Sequence, residues 1–187
     1  MQDVPKETII EASKGDMAAF RDLYNAVSGF VYNIVYRITN NEQDADEVTQ
    51  DVFLKIYNKL GSFRFQSSFK TWIYRIAVNT AINAYRKRSR EKEYTVEYNE
   101  DLEVTSDRNT PREETDKRSH EALLKTMLDM LNGDQRACVI LKDIEGLKYE
   151  EIAKILGINI NTVRSRLKRA REALLTLKEK GVMQNGL

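Results

Sequence analysis

"NTVRSRLKRAREALL", residues 161–175, places five cations, Arg164, Arg166, Lys168, Arg169 and Arg171, within eight positions of one helical pattern. At about 100° per residue, Val163, Leu167, Ala170 and Leu174 gather into a narrow apolar stripe that must face a core. Opposite it point Asn161, Ser165, Lys168, Arg169 and Glu172, with Arg164, Arg166 and Arg171 between the stripe and the outer face. A charge run is usually a solvated helix face, but such a face mixes both signs. Here no acid lies between Asn161 and Arg171, so the repulsion goes uncompensated unless an anion sits opposite. The pattern reads as a helix built to lie against phosphates and base edges.

The residues before it fix its setting. "LKYEEIAKILGININ" supplies a short amphipathic helix from Tyr149, with Ile152, Ile155 and Leu156 inward, then Gly157 where the chain needs a left-handed stop. Asn159 is placed to cap the next helix. Helix, turn with Gly, cationic helix is the order of a helix-turn-helix, whose second helix enters the major groove with its N-terminal residues on the bases. In that placement Asn161, Ser165, Lys168 and Arg169 face base edges, with Thr162 on the same first turn. The flanking Arg164, Arg166 and Arg171 reach phosphates.

Composition bounds the rest. The chain of 187 residues is 41% hydrophobic and 32% charged, enough for real cores, and its net charge of +1 hides strong segregation. Cys138, within the apolar pattern "ACVILKDI", has no internal disulfide partner and reads as a buried small hydrophobe. His120 stands alone, so neither a metal site nor a nucleophile–base pair is expected; no cofactor, no small-molecule substrate and no enzymatic activity are anticipated. Without a signal peptide or an apolar run of membrane length, a cytoplasmic protein is expected.

Two prolines and apolar spacings of three and four predict an all-α protein of two small helical domains. Residues 1–90 read as a helical bundle, punctuated at "KGD", "TNNEQD" and "GSFRFQSS". Residues 116–187 read as the helix-turn-helix domain, punctuated at "NGDQ", "EGLK" and "GINI". Between them residues 91–115 form an acidic linker; "EKEYTVEYNEDLEVTSDRNTPREETD" carries ten acids against three bases and no sustained periodicity. A flexible segment of this length spans roughly 30 Å and reaches about 80 Å at full stretch.

"DIEGLKYEEIAKILGININTVRSRLKRAREAL" resembles the −35-reading region of bacterial sigma factors, specifically the two-domain extracytoplasmic function (ECF) group. "KGDMAAFRDLYNAVSGFVYNIVYRITNNEQDADEVTQDVFLKIYNKLGSFRFQSSFKTWIYRIAVNTAINAYRKR" resembles the family's other domain, which binds core RNA polymerase and reads the −10 element. The resemblance implies a transcription initiation factor that responds to stress and is held silent by an anti-sigma factor that is membrane-anchored. Its partners would be promoter DNA and core polymerase, through the largest-subunit coiled coil and the flap.

The resemblance also assigns roles. In "DADEVTQDVFLKIY" the wheel turns Val48, Val52 and Ile56 inward and leaves Glu47, Gln50 and Asp51 on one exposed surface, an ordinary acidic face by itself; the resemblance makes it the polymerase-docking helix. In "GSFRFQSSFKTWIYRIAVNTAINAYRKRSR" the helix starts near Phe69, its aromatics mostly core, while Arg75, Asn79 and Arg86 share a flank. An amide between arginines can read the edge of an unpaired base. In the family the loop matching Arg64–Lys70 and the residue matching Asn79 hold a flipped −10 base, with Phe65 the loop aromatic best placed for the strand. Capturing that base offsets the few kcal/mol that unstacking costs, so melting and reading are one event. The linker is either a simple tether or a segment that enters the polymerase channel. A dimeric helix-turn-helix regulator and a polymerase adaptor remain the rival classes. For the free chain the expectation is that its two domains fold against each other or against an anti-sigma factor.

Overall fold

The computed structural model describes residues 3–96 and 124–179, with side chains described to residue 91 and from 124 to 176. Residues 97–123, which hold most of the acidic linker together with Pro111 and His120, lie outside the described residues. Every regular element described is helical: α1 (Lys6–Ser13), α2 (Met17–Thr39), α3 (Glu42–Leu60), α4 (Phe69–Val96), α5 (124–129 as described), α6 (Gly133–Val139), α7 (Tyr149–Leu156) and α8 (Ile160–Glu179).

Helix boundaries fall where local chemistry stops the chain. Asp16 caps α2 by accepting from Ala19 N at 2.9 Å, and Asn41 caps α3 by accepting from Asp44 N at 3.0 Å. Between them Asn40 ends α2 in the left-handed region at φ 55°, a conformation Asn tolerates better than most side chains. Gly157 ends α7 at φ 64°, and Asn159 Oδ1 accepts from Asn161 N at 2.8 Å to start α8, as the sequence predicts. The helix α4 runs to Val96, six residues past the expected boundary at Arg90. No Pro or Gly intervenes there, and the Lys87–Glu91 pair at 3.9 Å supports the continuation. One element was not foreseen: α6 passes directly into a π-helical turn at Ile140–Ile144, closed by Glu145 N donating to Ile140 O at 3.0 Å.

In the N-terminal half α2 is the central member. Leu23, Val27, Val31, Val35 and Ile38 are fully buried and pack against Ala45, Val52 and Ile56 of α3 and Ile73, Ala77, Val78 and Ala81 of α4. Each such Val, Leu or Ile contributes about 1.5–3 kcal/mol by leaving water, so the spacing of three and four is what assembles the bundle. In the C-terminal half Val163 and Leu167 of α8 meet Ile152 and Ile155 of α7 and Ala137 and Cys138 of α6, and Ala170 is buried one turn on. Burial pushes the Cys138 thiol up to about 11, so it is a neutral packing group near pH 7.

The halves share one apolar cluster, α4 lying against α6 and α7. Polar contacts frame it. Arg136, 1% exposed, stacks on Tyr85 at 4.8 Å and donates to Ile38 O at 2.7 Å, capping the carbonyl end of α2. Asn40 Nδ2 donates to Lys125 O at 3.0 Å and to Asp129 Oδ1 at 2.6 Å. Glu145, set beyond the π-turn, accepts from Tyr74 and pairs with Arg37 at 3.5 Å. Desolvation, with the bond to Glu145, raises the Tyr74 phenol far above its ordinary range, so it is a fixed donor.

Candidate nucleic-acid interface

On α8, burial of Val163, Leu167 and Ala170 fixes which side chains face outward. Asn161, Arg164, Ser165, Lys168, Arg169 and Arg171 are exposed, and Thr162 is half-buried beside them. Several are held locally: Arg164 donates to Asn161 Oδ1 at 3.1 Å, Ser165 Oγ to Thr162 O at 3.0 Å, and Lys168 pairs with Glu172 at 3.8 Å. Arg169 has no acid or hydrogen-bond partner among the described residues. The flanking arginines divide. Arg171 lies 3.9 Å from Asp143 and stays open to solvent, whereas Arg166 turns in towards Asp134 of α6 at 3.1 Å. Arg166 therefore has to leave that pair before it can meet a phosphate.

The second candidate surface is built on the loop between α3 and α4. Ser68 starts α4 by accepting from Thr71 N at 3.1 Å, and Phe63 anchors the loop against Phe69 and Trp72 at 5.5 and 5.2 Å. That anchor leaves Phe65 projecting, 42% exposed and left-handed at φ 55°, a strained backbone for an aromatic residue. Arg64 folds back to donate to Gly61 O at 3.2 Å, and Lys70 lies over the rings of Phe30 and Tyr74 at 5.5 and 5.7 Å.

Arg75 and Asn79 share a polar groove of about 340 Å³ with Lys55, Lys59, Trp72, Ile76, Thr80 and Asn83. Arg86 does not join it. Seven residues past Asn79 keeps it on the same face but about 10 Å further along the axis, where its Nη2 donates to both carboxylate oxygens of Asp134, at 2.7 and 2.6 Å. Asn79 itself is engaged, its Nδ2 donating to Arg75 O at 2.7 Å and to Ile155 O, at the end of α7, at 3.0 Å. Sequence reasoning missed Lys55, Lys59 and Asn83. The first two come from α3, and the missing signal was tertiary, although Asn83 stands one turn from Asn79 and was readable from spacing.

On α3 Glu47, Gln50 and Asp51 are all exposed, on one stripe. Glu47 and Asp51 border a cleft against α4, while Gln50 belongs to the rim of an apolar hollow of about 470 Å³ with Met17, Phe20, Tyr24, Phe53, Leu54 and Tyr57. Leu54 is 61% exposed there, an uncovered apolar anchor that the sequence reading did not single out.

An exposed cationic face on α8, and an amide-lined groove beside a projecting aromatic on α4 and its preceding loop, are thus the two candidate nucleic-acid surfaces. Comparison with known proteins gives the class. Residues 23–91 match the Sigma-70 region 2 family and residues 121–174 the Sigma-70, region 4 family. The RNA polymerase sigma-H factor of Pseudomonas aeruginosa is 34% identical, the match covering 92% of this chain and 93% of that protein. The ECF RNA polymerase sigma factor SigW of Bacillus subtilis is 30% identical, over 93% of this chain and 96% of the relative. Among solved structures, the sigma factor RpoE of Bartonella quintana in complex with the anti-sigma factor NepR superposes with a TM-score of 0.60 at 28% identity, covering 86% of this chain and 96% of that one. CnrH in complex with the cytosolic domain of CnrY shares the fold, with a TM-score of 0.64 at 24% identity, over 95% of this chain and 99% of the other. The chain belongs to the sigma-70 family, in its ECF group.

Proposed function

We propose that this sigma factor divides promoter reading between residues 1–90 and residues 116–187: the exposed face of α8 reads the −35 duplex, and the loop with the Asn79 groove reads melted −10 DNA. The observation that carries the division is the difference between the two surfaces. The outer face of α8 is convex and cationic, as a major groove requires, while the Asn79 groove is concave, lined by amides and lysines, and roomy enough to admit an unstacked base. Core polymerase docks on Glu47, Gln50 and Asp51 together with Leu54 and Tyr57, and the flap meets residues 116–187. The factor works in the cytoplasm with polymerase. No helix among the described residues is long and apolar enough to cross a membrane, which fits a regulator whose anchored member is the anti-sigma partner. The likeness to a sigma factor solved with its anti-sigma factor supports that mode of silencing.

On this reading the conformation is the resting one: the contacts of Asn79 with Ile155 and of Arg86 with Asp134 support a −10 surface partly engaged by the C-terminal half, with polymerase spreading the two apart. The exposed α8 face supports a masking confined to the −10 side. The overall reading is tested by asking whether the purified chain directs core polymerase to defined start sites. Transcription independent of the chain, or tight palindromic duplex binding by a dimer without polymerase, would replace it with one of the rival classes.

The division of labour makes a further prediction. Arg169→Ala is expected to cost about 1–3 kcal/mol at its matching −35 base and relax preference there, because a bidentate contact supplies discrimination. Arg171→Ala is expected to weaken all sequences alike and reduce the salt slope by about one, because a phosphate contact releases a counterion whatever the base. Asn79→Ala is expected to spare duplex binding and impair single-strand capture. Titrations of the three variants on −35 duplex and −10 single strand at several salt concentrations check this; equal losses on both ligands for Asn79→Ala would refute the division.

A further inference from the structure

The strained Phe65 has a partner outside its own loop. Lys6, the first residue of α1, sets its ammonium over the Phe65 ring at 5.1 Å, while Phe63 packs against the same ring at 4.7 Å. A cation in the first helical turn opposes the helix dipole, so α1 gains nothing from Lys6 by itself. An exposed aromatic at φ 55° is not held there by burial either; the ring contacts are what oppose relaxation of the backbone. Phe63 in turn is seated on Phe69 and Trp72, so one side of the Phe65 ring is tied to the bundle and Lys6 supplies the charge on its π-face.

We infer that Lys6 is a positioning residue for −10 reading: it holds the Phe65 ring preset for stacking on an unpaired base, so that the ring is not ordered at the moment of binding. The inference rests on the reading of this loop as the −10 surface. Pre-ordering an aromatic platform lowers the ordering cost of capture, and the lysine acts through the ring and not on the DNA. Charge on the ring face is the property that matters, so Arg substitutes and Met, of similar reach, does not.

The test uses the full chain bound to core polymerase, a fluorescent single-stranded −10 oligonucleotide and several salt concentrations. Lys6 is exposed, so Lys6→Met is expected to fold, with unchanged helicity and unchanged emission from Trp72, the sole tryptophan. Phe65→Ala is expected to weaken binding about tenfold, Lys6→Met about threefold, and Lys6→Arg by less than about twofold. Lys6→Met is expected to add nothing to Phe65→Ala and to leave the salt slope unchanged. If Phe65→Ala binds like the parent, the loop reading itself fails. If Phe65→Ala weakens binding but Lys6→Met does not, the loop reading stands and the role of Lys6 is overturned. A Lys6→Met loss that adds to that of Phe65→Ala and lowers the salt slope by about one makes Lys6 a phosphate contact, and overturns the positioning role as well.

Discussion

Leu54→Asp is expected to lower affinity for core RNA polymerase at least thirtyfold while leaving helicity and thermal stability unchanged. Leu54 is 61% exposed, so its loss opens no cavity in the bundle. It lies on the rim of the hollow formed with Met17, Tyr24, Phe53 and Tyr57, an apolar surface next to Gln50 that a partner helix can bury. A central apolar anchor of an interface costs about 2 kcal/mol or more when removed, and about 1.4 kcal/mol is tenfold. A buried carboxylate without a partner adds to that loss. The rim charges act differently. The pair Glu47→Lys and Asp51→Lys is expected to slow association and to do so most at low salt, since exposed charges steer encounter more than they hold the complex. Competition binding to core polymerase at two ionic strengths separates the two effects. An unchanged affinity for Leu54→Asp would move the docking surface elsewhere.

Gly133→Ala is the substitution expected to release the −10 surface. A Cβ at Gly133 would stand 2.7 Å from Tyr85 Cδ1 and 3.2 Å from its Cγ, atoms close to the α4 backbone that cannot swing aside. The buried Arg136 guanidinium also lies over this ring, at 4.8 Å, and leaves it little room to shift. Gly133 opens α6, where Ala is the better helix former, so the helix itself is not weakened. The overpacking falls on the contact between halves and costs the closed arrangement about 1–3 kcal/mol. The open population of the free chain rises by roughly 5- to 150-fold, and its affinity for a −10 single strand rises with it until the open form dominates. In complex with polymerase, which on the proposed reading holds the halves apart, the variant is expected to match the parent. Anisotropy titrations with and without polymerase, with the separation of the halves followed by energy transfer, check both parts; an unchanged free-chain affinity with unchanged separation would remove the masking role of this interface.

The helix that carries the −35 assignment was legible because its apolar stripe, its Gly157 stop and its Asn159 cap are all local, and each fixes orientation without knowledge of the rest of the chain. The same holds for the inward turn of Val48, Val52 and Ile56. Leu54 was equally legible, about 200° from Val52 on the wheel, but an outward apolar side chain acquires meaning only when Met17 and Tyr24 of α2 are seen to complete a hollow. Partners distant in sequence were beyond pattern reading. Nothing in "RSRLKRAR" distinguishes the flanking Arg166, drawn to Asp134, from the flanking Arg171, which stays open to solvent. The groove was only half visible because Lys55 and Lys59 reach it from a different helix. The π-turn at Ile140–Ile144 carries an apolar pattern that an α-helix would carry as well.

Three of the side chains that join the two halves, Asn40, Asn79 and Arg136, donate across to main-chain carbonyls, those of Lys125, Ile155 and Ile38. A carbonyl is present whatever residue bears it, so this part of the contact is written in the donors alone. Descendants of this chain can exchange residues 38, 125 and 155 for others of compatible size and keep these bonds, whereas a change at any donor removes one outright. Selection on the resting state therefore falls on few positions, and the acceptor faces are free to diverge towards other partners.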